Sequence, residues 1–436
     1  MASDWQQFSL DELYEFSSGL SKPRSEFGSG YPFLSFKDVF YNSAVPTELT
    51  GLVNSTEQER TRCSVARGDV FLTRTSETME ELGMSSVALA DIPDATFNGF
   101  TKRLRPKQSQ YVVPEFARYY FRSPEFRNNV IAMTSMSTRA SLNNEMLSRL
   151  GIVLPPRNEQ EAIGHTLGAI DDRITLLRET NKTLESIAQA IFQSWFVDFD
   201  PVRAKMEGRQ PEGMDEDSAA LFPDSFEESE LGVLPRGWQK KGLDEIANYL
   251  NGLALQKFPP TGKNDLPVIK IAQLRKGDTD GADLAAGSIK PEYIVHDGDV
   301  LFSWSGSLEV EVWCGGAGAL NQHLFKVTSA RYSKWFYYLW TKHHLSSFRQ
   351  IAASKATTMG HIQRKHLSDA VVIIPSTDIL KEADEVFAPL IDLQIENALR
   401  VRNLCAIRDT LLPRLLSGKI SLFNSRSLVA DVGFEA

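Results

Sequence analysis

Two long heptad-patterned stretches constrain the fold of this chain more than any other feature. In the first, residues 158–199, apolar residues recur at alternating steps of three and four, with polar Asn181 in one of these positions. This spacing directs one narrow seam toward a partner helix. At about 1.5 Å per residue, such a helix is roughly 60 Å long, so it needs a second long helix to cover its seam. The predicted seam residues are Ile163, Leu167, Ile170, Ile174, Leu177, Asn181, Leu184, Ile191 and Trp195.

The second stretch lies near the C-terminus and repeats the first at an offset of about 220 positions. Residues 170–174 align with residues 391–395. Two unrelated amphipathic helices would explain each stretch separately, but the segments before them also repeat, which favours a pair. A polar residue in such a seam sets register, so we expect Asn181→Leu to stabilise the pair while loosening its register. The predicted seam residues of the second helix are Ile391, Ile395, Leu399, Leu404, Ile407, Leu411 and Leu415.

Composition indicates a soluble protein of about two to four domains. The 436 residues are 42% hydrophobic and 24% charged, and no run of 18 apolar residues occurs. The first residues lack the basic and apolar regions of a signal peptide. The three cysteines are widely separated. We therefore expect a cytoplasmic protein with reduced thiols, no disulfide framework and no metal cluster.

The net charge of −9 conceals two basic regions. Residues 199–235 contain ten acidic and three basic residues, whereas residues 101–149 contain nine basic and three acidic residues. Residues 236–375 contain seventeen basic and twelve acidic residues. Local fields attract a polyanion more than the total charge does. A solvated surface would explain either basic region by itself.

The segments before the two helices share an order of features. Each begins with a tryptophan and a short helix signal, and each contains a Gly-Asp turn that leads into an apolar strand, at 68–73 and 298–303. The offset drifts from 233 to 220, so the loops between matching strands differ in length, as expected of a shared scaffold with variable recognition loops.

The sequence predicts an α+β fold with a pseudo-two-fold internal repeat. The predicted divisions are a first domain at 1–155, a central helix at 156–200, an acidic linker at 201–235, a second domain at 236–376, a C-terminal helix at 377–423 and a tail at 424–436.

No convincing catalytic or metal-binding motif occurs. Gly418-Lys419 lacks the upstream glycine of a phosphate-binding loop, and the histidines lack metal-ligand spacing. Neither Asn-Pro-Pro-Tyr nor Asp-Pro-Pro-Tyr is present, which argues against an amino-methyltransferase active site. A stand-alone methyltransferase acting on nucleic acid and a coiled-coil scaffold without nucleic acid remain as alternatives to a recognition protein.

The residue types at matching points of the two repeats favour DNA recognition. Arg and Lys contact phosphates or guanine, and Asn and Gln read adenine. The candidates in the first domain are Lys22, Arg24, Lys37, Lys102, Arg103, Arg105, Ser137, Thr138 and Arg139. Those in the second are Lys257, Lys263, Lys270, Gln273, Arg275, Lys355, Thr357, Thr358 and Arg364.

Three segments carry a resemblance to a known family over nearly the full length. They are Leu-Pro-Pro-Arg-Asn-Glu-Gln at 154–160, Ile-Phe-Gln-Ser-Trp-Phe-Val-Asp-Phe-Asp-Pro-Val at 191–202, and Leu-Leu-Pro-Arg-Leu-Leu-Ser-Gly-Lys-Ile at 411–420. The chain resembles the specificity subunit of type I restriction–modification enzymes. One departure is at 374–378, where the second copy lacks the Pro-Pro and Glu-Gln of the first.

The resemblance implies two target-recognition domains separated by two long antiparallel coiled-coil helices. Each domain would read one half of a split double-stranded DNA site. Two modification subunits and ATP-driven restriction subunits would bind this chain. S-adenosylmethionine, ATP and Mg would belong to those partners, and this chain would be a non-catalytic subunit without metal.

Overall fold

The computed structural model describes residues 4–75, 81–134, 141–229, 232–354 and 360–422. The chain divides into two compact units. Unit 1 comprises Met1–Ile174 and Leu404–Ala436, and unit 2 comprises Thr175–Asn403. Both long helices cross the boundary, so each unit contains part of each helix. The domain bounds predicted from the sequence, including the tail outside the described residues, stay predictions.

Unit 1 contains two sheets, a separate strand pair and mostly short helices. One sheet has the strand order β2-β8-β5-β6 and the other has the order β4-β3-β7, while β1 pairs with β9. The elements that begin in unit 1 are β1 (Gln6–Ser9), α1 (Leu10–Leu13), β2 (Tyr14–Ser18), β3 (Phe27–Leu34), α2 (Phe36–Tyr41), β4 (Leu52–Val53), α3 (Glu57–Arg62), β5 (Val70–Thr73), β6 (Ser85–Val87), β7 (Thr96–Phe97), β8 (Thr101–Pro106), α4 (Pro114–Tyr120), α5 (Pro124–Thr134), α6 (Asn144–Arg149), β9 (Gly151–Leu154) and the long helix α7 (Arg157–Phe192).

Unit 2 contains two four-stranded sheets and two strand pairs. The sheet orders are β13-β20-β17-β18 and β15-β14-β19-β16, and the pairs are β10-β11 and β12-β21. Its elements are α8 (Asp200–Met206), α9 (Glu216–Leu221), β10 (Phe226–Ser229), β11 (Gly232–Pro235), β12 (Gln239–Gly242), α10 (Leu243–Ile246), β13 (Asn248–Asn251), β14 (Leu266–Ile269), α11 (Ile271–Lys276), β15 (Leu284–Ala285), β16 (Ile294–Val295), β17 (Val300–Ser303), β18 (Val310–Val312), β19 (Gly318–Leu320), β20 (Leu324–Thr328), α12 (Lys334–His343), α13 (Leu345–Ser354), α14 (Arg364–Asp369), β21 (Val371–Ile374) and the long helix α15 (Thr377–Leu416).

The strand pairings of unit 1 recur in unit 2. The antiparallel pair β12-β21 repeats β1-β9, and the sheet β13-β20-β17-β18 repeats β2-β8-β5-β6. Parallel pairing of β14 with β19 repeats that of β3 with β7. The predicted internal repeat is therefore present in the fold.

The Gly-Asp turns have the same local structure in both units. The Asp69 carboxylate accepts a hydrogen bond of 2.8 Å from the backbone N–H of Ala66, and the Asp299 carboxylate accepts one of 2.8 Å from that of His296. The following strands, β5 and β17, are buried along their entire length. A short apolar run after a turn is typical of a strand covered on both faces, which explains why the sequence located these two strands.

The main cores contain parts of the long helices. In unit 1, Ile163 and Leu167 of α7 and Leu415 of α15 join the core under α1 and α4. In unit 2, Phe196 and Phe387 pack with Trp335 of α12, and the Trp335 and Phe387 rings stack 4.5 Å apart. Full burial of such a ring contributes about 1.5–3 kcal/mol, so each long helix is stabilised by the globular parts of the units as well as by the other helix.

The first long helix ends earlier than its apolar pattern predicts. A π-helical turn, Gln193–Val197, follows α7, and Phe199 has a left-handed backbone at φ +58° before α8 begins. The wider turn allows two consecutive rings, Trp195 and Phe196, to contact Phe387 at 5.8 and 6.1 Å. No helix in the described part of the chain combines the length and apolarity needed to cross a membrane.

The segment predicted as an acidic linker contains regular structure in the residues that the structure describes. It forms α8, α9 and the hairpin β10-β11. Val202, Phe222 and Leu234 are buried in the core of unit 2. These apolar residues anchor a segment whose acidic composition alone favours a solvated chain.

Candidate nucleic-acid interface

Three predicted cations of unit 1 lie near the three-stranded sheet. Arg24 and Lys37 are exposed, and neither forms an ion pair with another described residue. Lys22 is half-buried and forms an ion pair of 2.9 Å with Glu59. Arg24 and Lys37 therefore have the surface placement that a DNA contact needs, whereas Lys22 already has a carboxylate partner.

Two predicted cations of β8 make internal contacts. Arg105 forms a two-point ion pair with Asp69, with N–O distances of 2.7 and 2.5 Å. Arg103 is 8% exposed, donates a hydrogen bond of 2.6 Å to the Ser64 carbonyl and lies over the Phe97 ring. These contacts attach Arg105 to the Gly-Asp turn and Arg103 to the chain just before it, so both arginines have structural roles. Their predicted contact with DNA stays a prediction.

Lys102, also on β8, differs from Arg105 because it has no carboxylate partner among the described residues. It is 7% exposed, and its ammonium donates hydrogen bonds to Ser18 Oγ at 2.9 Å and Asn144 Oδ1 at 2.8 Å. Burial, followed by the positive charge of Arg74, lowers the pKa of Lys102.

The predicted cations of unit 2 are mostly exposed. Lys257, Lys263 and Arg275 lie at the surface without an ion pair to another described residue. Lys270 forms an ion pair with Asp283, in which both side chains are exposed. Such exposed pairs contribute little to stability, so Lys270 can exchange its partner for a phosphate.

Gln273 and Arg364 have defined positions in unit 2. The Gln273 side chain accepts a hydrogen bond from the Lys270 backbone N–H at 3.3 Å. Arg364 is the first residue of α14; its guanidinium lies 5.8 Å from the Phe325 ring centre and donates to the Tyr249 carbonyl at 3.3 Å. Arg364 is exposed beyond these contacts.

The remaining predicted contact residues lie outside the described part of the chain. The described residues that flank them occupy equivalent positions in the two units. Thr75 and Ser141 form an antiparallel bridge, as do Ser305 and His361. These bridges attach the flanking chain to the ends of β5 and β17. The undescribed candidates are Ser137, Thr138, Arg139, Lys355, Thr357 and Thr358.

Sequence reasoning missed one matched position, the residue after β5 and β17. Arg74 donates its backbone N–H to the Phe100 carbonyl at 2.8 Å, and Trp304 donates its own to the His323 carbonyl at 3.3 Å. The Trp304 ring lies 5.9 Å from His323 and 6.0 Å from Phe325. Extending the matched strand segments by one residue would have found the pair.

The predicted seam residues fall into two burial classes. The buried ones are Ile163, Leu167, Ile174, Leu177, Ile391 and Leu415. The half-buried ones are Ile170, Asn181, Leu184, Ile191, Trp195, Ile395, Leu399, Leu404 and Leu411. Ile407, also predicted in the seam, is 49% exposed.

A polar contact lies between the two long helices in unit 2. The Asn181 amide donates to the Gln394 carbonyl at 2.8 Å and its oxygen accepts from the Asn397 amide at 3.0 Å. Trp195 contacts Phe387. Asn181 thus lies beside Asn397, whereas Trp195, further along the chain, lies beside the earlier residue Phe387. The two helices therefore run antiparallel in unit 2. In unit 1, Asp171 of α7 and Arg408 of α15 form an ion pair of 2.9 Å.

Among the described residues, no group of three or more His, Cys, Asp or Glu side chains is placed to hold a metal ion. His343 and His344 pack around Trp340, at ring-centre distances of 5.5 and 6.0 Å. Burial lowers the pKa of both histidines. His343 is exposed and His344 is half-buried, so both lie at the edge of the packing around Trp340.

Comparisons with known proteins agree with this geometry. The family described as "Type I restriction modification DNA specificity domain" matches residues 2–186 and again 235–401. The chain is similar to the Type I restriction enzyme HindI specificity subunit of Haemophilus influenzae, with 25% identity over 469 residues covering 96% of this chain and 100% of that protein. It is similar to the MjaIX specificity subunit of Methanocaldococcus jannaschii, with 24% identity covering 96% and 94%.

A solved structure shows the same fold. The chain is similar to the S subunit of the type I restriction–modification system from M. genitalium, with a TM-score of 0.56 and 14% identity, covering 95% of this chain and 97% of that one. The predicted mixed fold with an internal repeat and two long helices is confirmed. Since the family matches the two halves separately and covers most of the residues, this chain belongs to the type I restriction–modification DNA specificity domain family.

Proposed function

We propose that this chain is the DNA sequence-specificity subunit of a type I restriction–modification complex. The observation that carries the proposal is the family match to both halves of a chain whose two units repeat one strand topology. Two similar folds with different loops are suited to reading two different short sequences. Each unit thus reads one half of a bipartite double-stranded DNA site, and the complex acts on chromosomal DNA in the cytoplasm.

Exposed cations of each unit would make the contacts that position the DNA. Arg24 and Lys37 in unit 1 and Lys257, Lys263 and Arg275 in unit 2 have this placement. Phosphate contacts fix the register of a protein on a duplex, and side chains at base edges then supply the sequence preference. The loops beside these cations differ between the units, which supports a different half-site for each.

The catalytic chemistry belongs to other subunits in this proposal. The chain is non-catalytic, and it binds two modification subunits and the restriction subunits. S-adenosylmethionine, ATP and Mg are bound by those partners. The support is the family assignment together with the relatives' description as specificity subunits.

The helix pair of unit 2 offers a docking surface for a modification subunit. Leu176 and Ile187 of α7 are 54% and 42% exposed, and their spacing of 11 residues, about three turns, puts them on one face. Leu393 of α15 is 39% exposed. It adjoins Gln394, whose carbonyl accepts a hydrogen bond from Asn181. Leu393 therefore lies level with the part of α7 between Leu176 and Ile187. Exposed apolar side chains along this length of the helix pair support a protein contact there.

This docking surface is tested by co-purification. Leu176→Ser with Ile187→Ser should reduce the amount of modification subunit recovered with the tagged chain by about tenfold, because two buried apolar contacts are lost. Gln189→Ser, at an exposed position two residues from Ile187 and therefore on another face of α7, is the control. Equal recovery with the double variant would exclude this face.

The function is tested by selection from a random DNA duplex library. The chain purified with its modification subunit should enrich duplexes that share two short sequences separated by a constant number of unspecified base pairs. The modification subunit alone is the control and should enrich no such motif. Enrichment of a single uninterrupted motif, or of none, would contradict the proposal. Methyl transfer by this chain alone would instead support the stand-alone methyltransferase.

A further inference from the structure

Two cations of unit 1 share one face of the four-stranded sheet at the end of β5. Lys102 on β8 pairs with Leu72 on β5 and with Ser18 on β2. Arg74 follows Leu72 by two residues. Side chains of directly paired strand residues, and of residues two apart, point to the same face. Ser18, Lys102 and Arg74 therefore face the same space.

Neither cation has a carboxylate partner among the residues that the structure describes. Lys102 uses two of its three donors on the neutral oxygens of Ser18 and Asn144. Arg74 Nε is buried and has no hydrogen-bond partner. Nearby Arg105, in contrast, has the Asp69 carboxylate. Lys102 is buried and Arg74 is half-buried beside it. Two cations partly withdrawn from water without a counter-charge are costly, and an anion bound between them would offset that cost.

The fold itself does not require positive charge at these positions. In unit 2 the strand pairing puts Phe325 at the position of Lys102 and Trp304 at that of Arg74. Phe325 is packed beneath Arg364, the counterpart of Asn144 as the first residue of its helix. The same four-stranded sheet therefore forms with two aromatic residues. Formation of the sheet therefore does not require a cation at either position, which leaves both charges available for a ligand.

We propose that Arg74 and Lys102 form a binding site for one phosphodiester group of the DNA read by unit 1. The phosphate accepts the remaining ammonium N–H of Lys102 and the guanidinium donors of Arg74. This inference rests on the proposed DNA-reading function only for the source of the phosphate. Unit 2, with aromatic residues at the matched positions, has no equivalent site among its described residues, so the two half-sites are held by different chemistry.

The first test asks whether the site binds an anion at all. Thermal unfolding of the full chain is followed in inorganic phosphate and in chloride at equal ionic strength. Anion binding to the folded state raises the melting temperature in a saturable way. The rise should be smaller in Lys102→Met and in Arg74→Met than in the unchanged chain. Arg149→Met, which removes an exposed cation paired with Glu145, should leave the rise unchanged.

The two variants protect this test against a folding failure. Methionine keeps most of the length of either side chain while removing its charge, and Arg74 is less buried than Lys102. The general stabilising effect of phosphate through surface exclusion acts on every variant equally. An identical, saturable rise in the unchanged chain and in both variants would overturn the proposal.

The second test locates the phosphate on DNA. Duplexes carrying the selected bipartite site are made with a neutral methylphosphonate at one backbone position at a time and bound to the complete complex. In the unchanged complex, one position in one half-site should weaken binding by about ten- to a hundredfold, as for a hydrogen bond to a charged group. In the Lys102→Met complex, a methylphosphonate at that position should weaken binding little further. The slope of log affinity against log salt concentration should also fall by about 1 in that complex.

The two tests separate this inference from the proposed function. If the complex selects no DNA site but the phosphate effect depends on Lys102 and Arg74, the anion site stands and the DNA-reading function fails. If the complex binds a bipartite site but every methylphosphonate costs the same in Lys102→Met as in the unchanged complex, the function stands and the anion site fails.

Discussion

At the scale of residues, the two units share the aspartate contacts of their Gly-Asp turns. They differ in the side chains at the end of the equivalent four-stranded sheets. Asp69 and Asp299 both accept from a backbone N–H of their own turn, and both bind a cation of the neighbouring strand, Arg105 at 2.5 Å and Lys326 at 2.7 Å. Lys102 of unit 1 has no such carboxylate among the described residues. Sequence alone could not separate Arg105 from Lys102, because the partners Asp69 and Ser18 lie 36 and 84 residues away.

Matched glycines lie where two backbones approach closely. A Cβ atom added to Gly19 would lie 2.2 Å from the Phe97 carbonyl oxygen, and one added to Gly252 would lie 2.2 Å from that of Asn321. Gly19→Ala and Gly252→Ala should each lower the free energy of unfolding by about 2–3 kcal/mol, since backbone must shift to admit the methyl group. Urea unfolding measures this loss.

Gly168 provides the control for these substitutions. It lies within α7, and a Cβ added there meets nothing within 4 Å. Gly168→Ala should raise the free energy of unfolding by about 0.5–1 kcal/mol because alanine favours a helix. Stability that is unchanged in Gly19→Ala and Gly252→Ala would show that the two backbones do not approach as closely as described.

The Asp297–Arg402 ion pair makes the stability of unit 2 depend on pH. Arg402 donates to both carboxylate oxygens at 2.7 and 2.8 Å, and this bonding holds the pKa of Asp297 below its usual value. A depressed pKa in the folded state stabilises the protein above the unfolded pKa, near 4, and the contribution disappears as the pH falls through the folded value.

Asp297→Asn should therefore lower the free energy of unfolding at pH 7 by about 1 kcal/mol, a value discounted for solvent screening of the partly exposed pair. The difference from the unchanged chain should shrink as the pH falls below about 4. Urea unfolding across this range measures it. Asp280→Asn, at an 86% exposed side chain, is the matched control variant. A constant deficit for Asp297→Asn at every pH would contradict the assigned pair.

At the scale of elements, heptad spacing located the two long helices but not their ends or their outer faces. Pro389 lies inside α15, where proline normally interrupts a helix. Buried Phe387 and Ile391 on either side hold α15 to the core, so tertiary packing outweighs the local preference. Ile407 follows the apolar pattern yet is 49% exposed. The apolar periodicity identifies the apolar face of a helix, but the packing of neighbouring elements determines which residues of that face are buried.

Asn397 changes the result expected for Asn181→Leu. The Asn397 side chain is 3% exposed and donates to Asn181. Leucine at 181 leaves this buried amide without its acceptor, so the single variant should lose about 1–3 kcal/mol instead of gaining stability. The double variant Asn181→Leu with Asn397→Leu should recover or exceed the original stability, because both polar partners are removed together.

Urea unfolding measures the two variants, and spin labels at exposed Thr183 and Leu393 measure register within unit 2. The double variant should show a broader distance distribution than the unchanged chain, since a polar pair in a seam sets register. A stabilising effect of Asn181→Leu alone would show that the Asn181–Asn397 hydrogen bond contributes nothing.

At the scale of the whole molecule, the order of features in the sequence was sufficient to predict an internal repeat. The Gly-Asp turns and the apolar runs behind them mark β5 and β17, which are central strands of equivalent sheets. The segment 201–235 was harder to interpret, because a few buried residues such as Phe222 fix a chain that is otherwise acidic. The average composition of a segment does not reveal a few buried apolar residues of this kind.

We expect the two long helices to set the spacing between half-sites in the proposed function. A seven-residue insertion at matched levels of both helices, beside Asn181 and Asn397, adds about 10.5 Å of helix, which corresponds to about three base pairs. The selected DNA motif should retain both half-sites and gain that number of unspecified pairs. The same insertion in α7 alone should destabilise the pair and yield no new motif. An unchanged gap in the doubly extended variant would exclude the helices as the determinant of spacing.

The map of methylated bases in cells that contain this chain tests the central claim most directly. The chain is co-expressed with its modification subunit, and the methylated positions are read by sequencing the genome. Two short sequences separated by a constant gap, methylated only when this chain is present, are the predicted result. A stable complex that leaves the genome unmethylated, or a methylated motif that persists without this chain, would contradict the account.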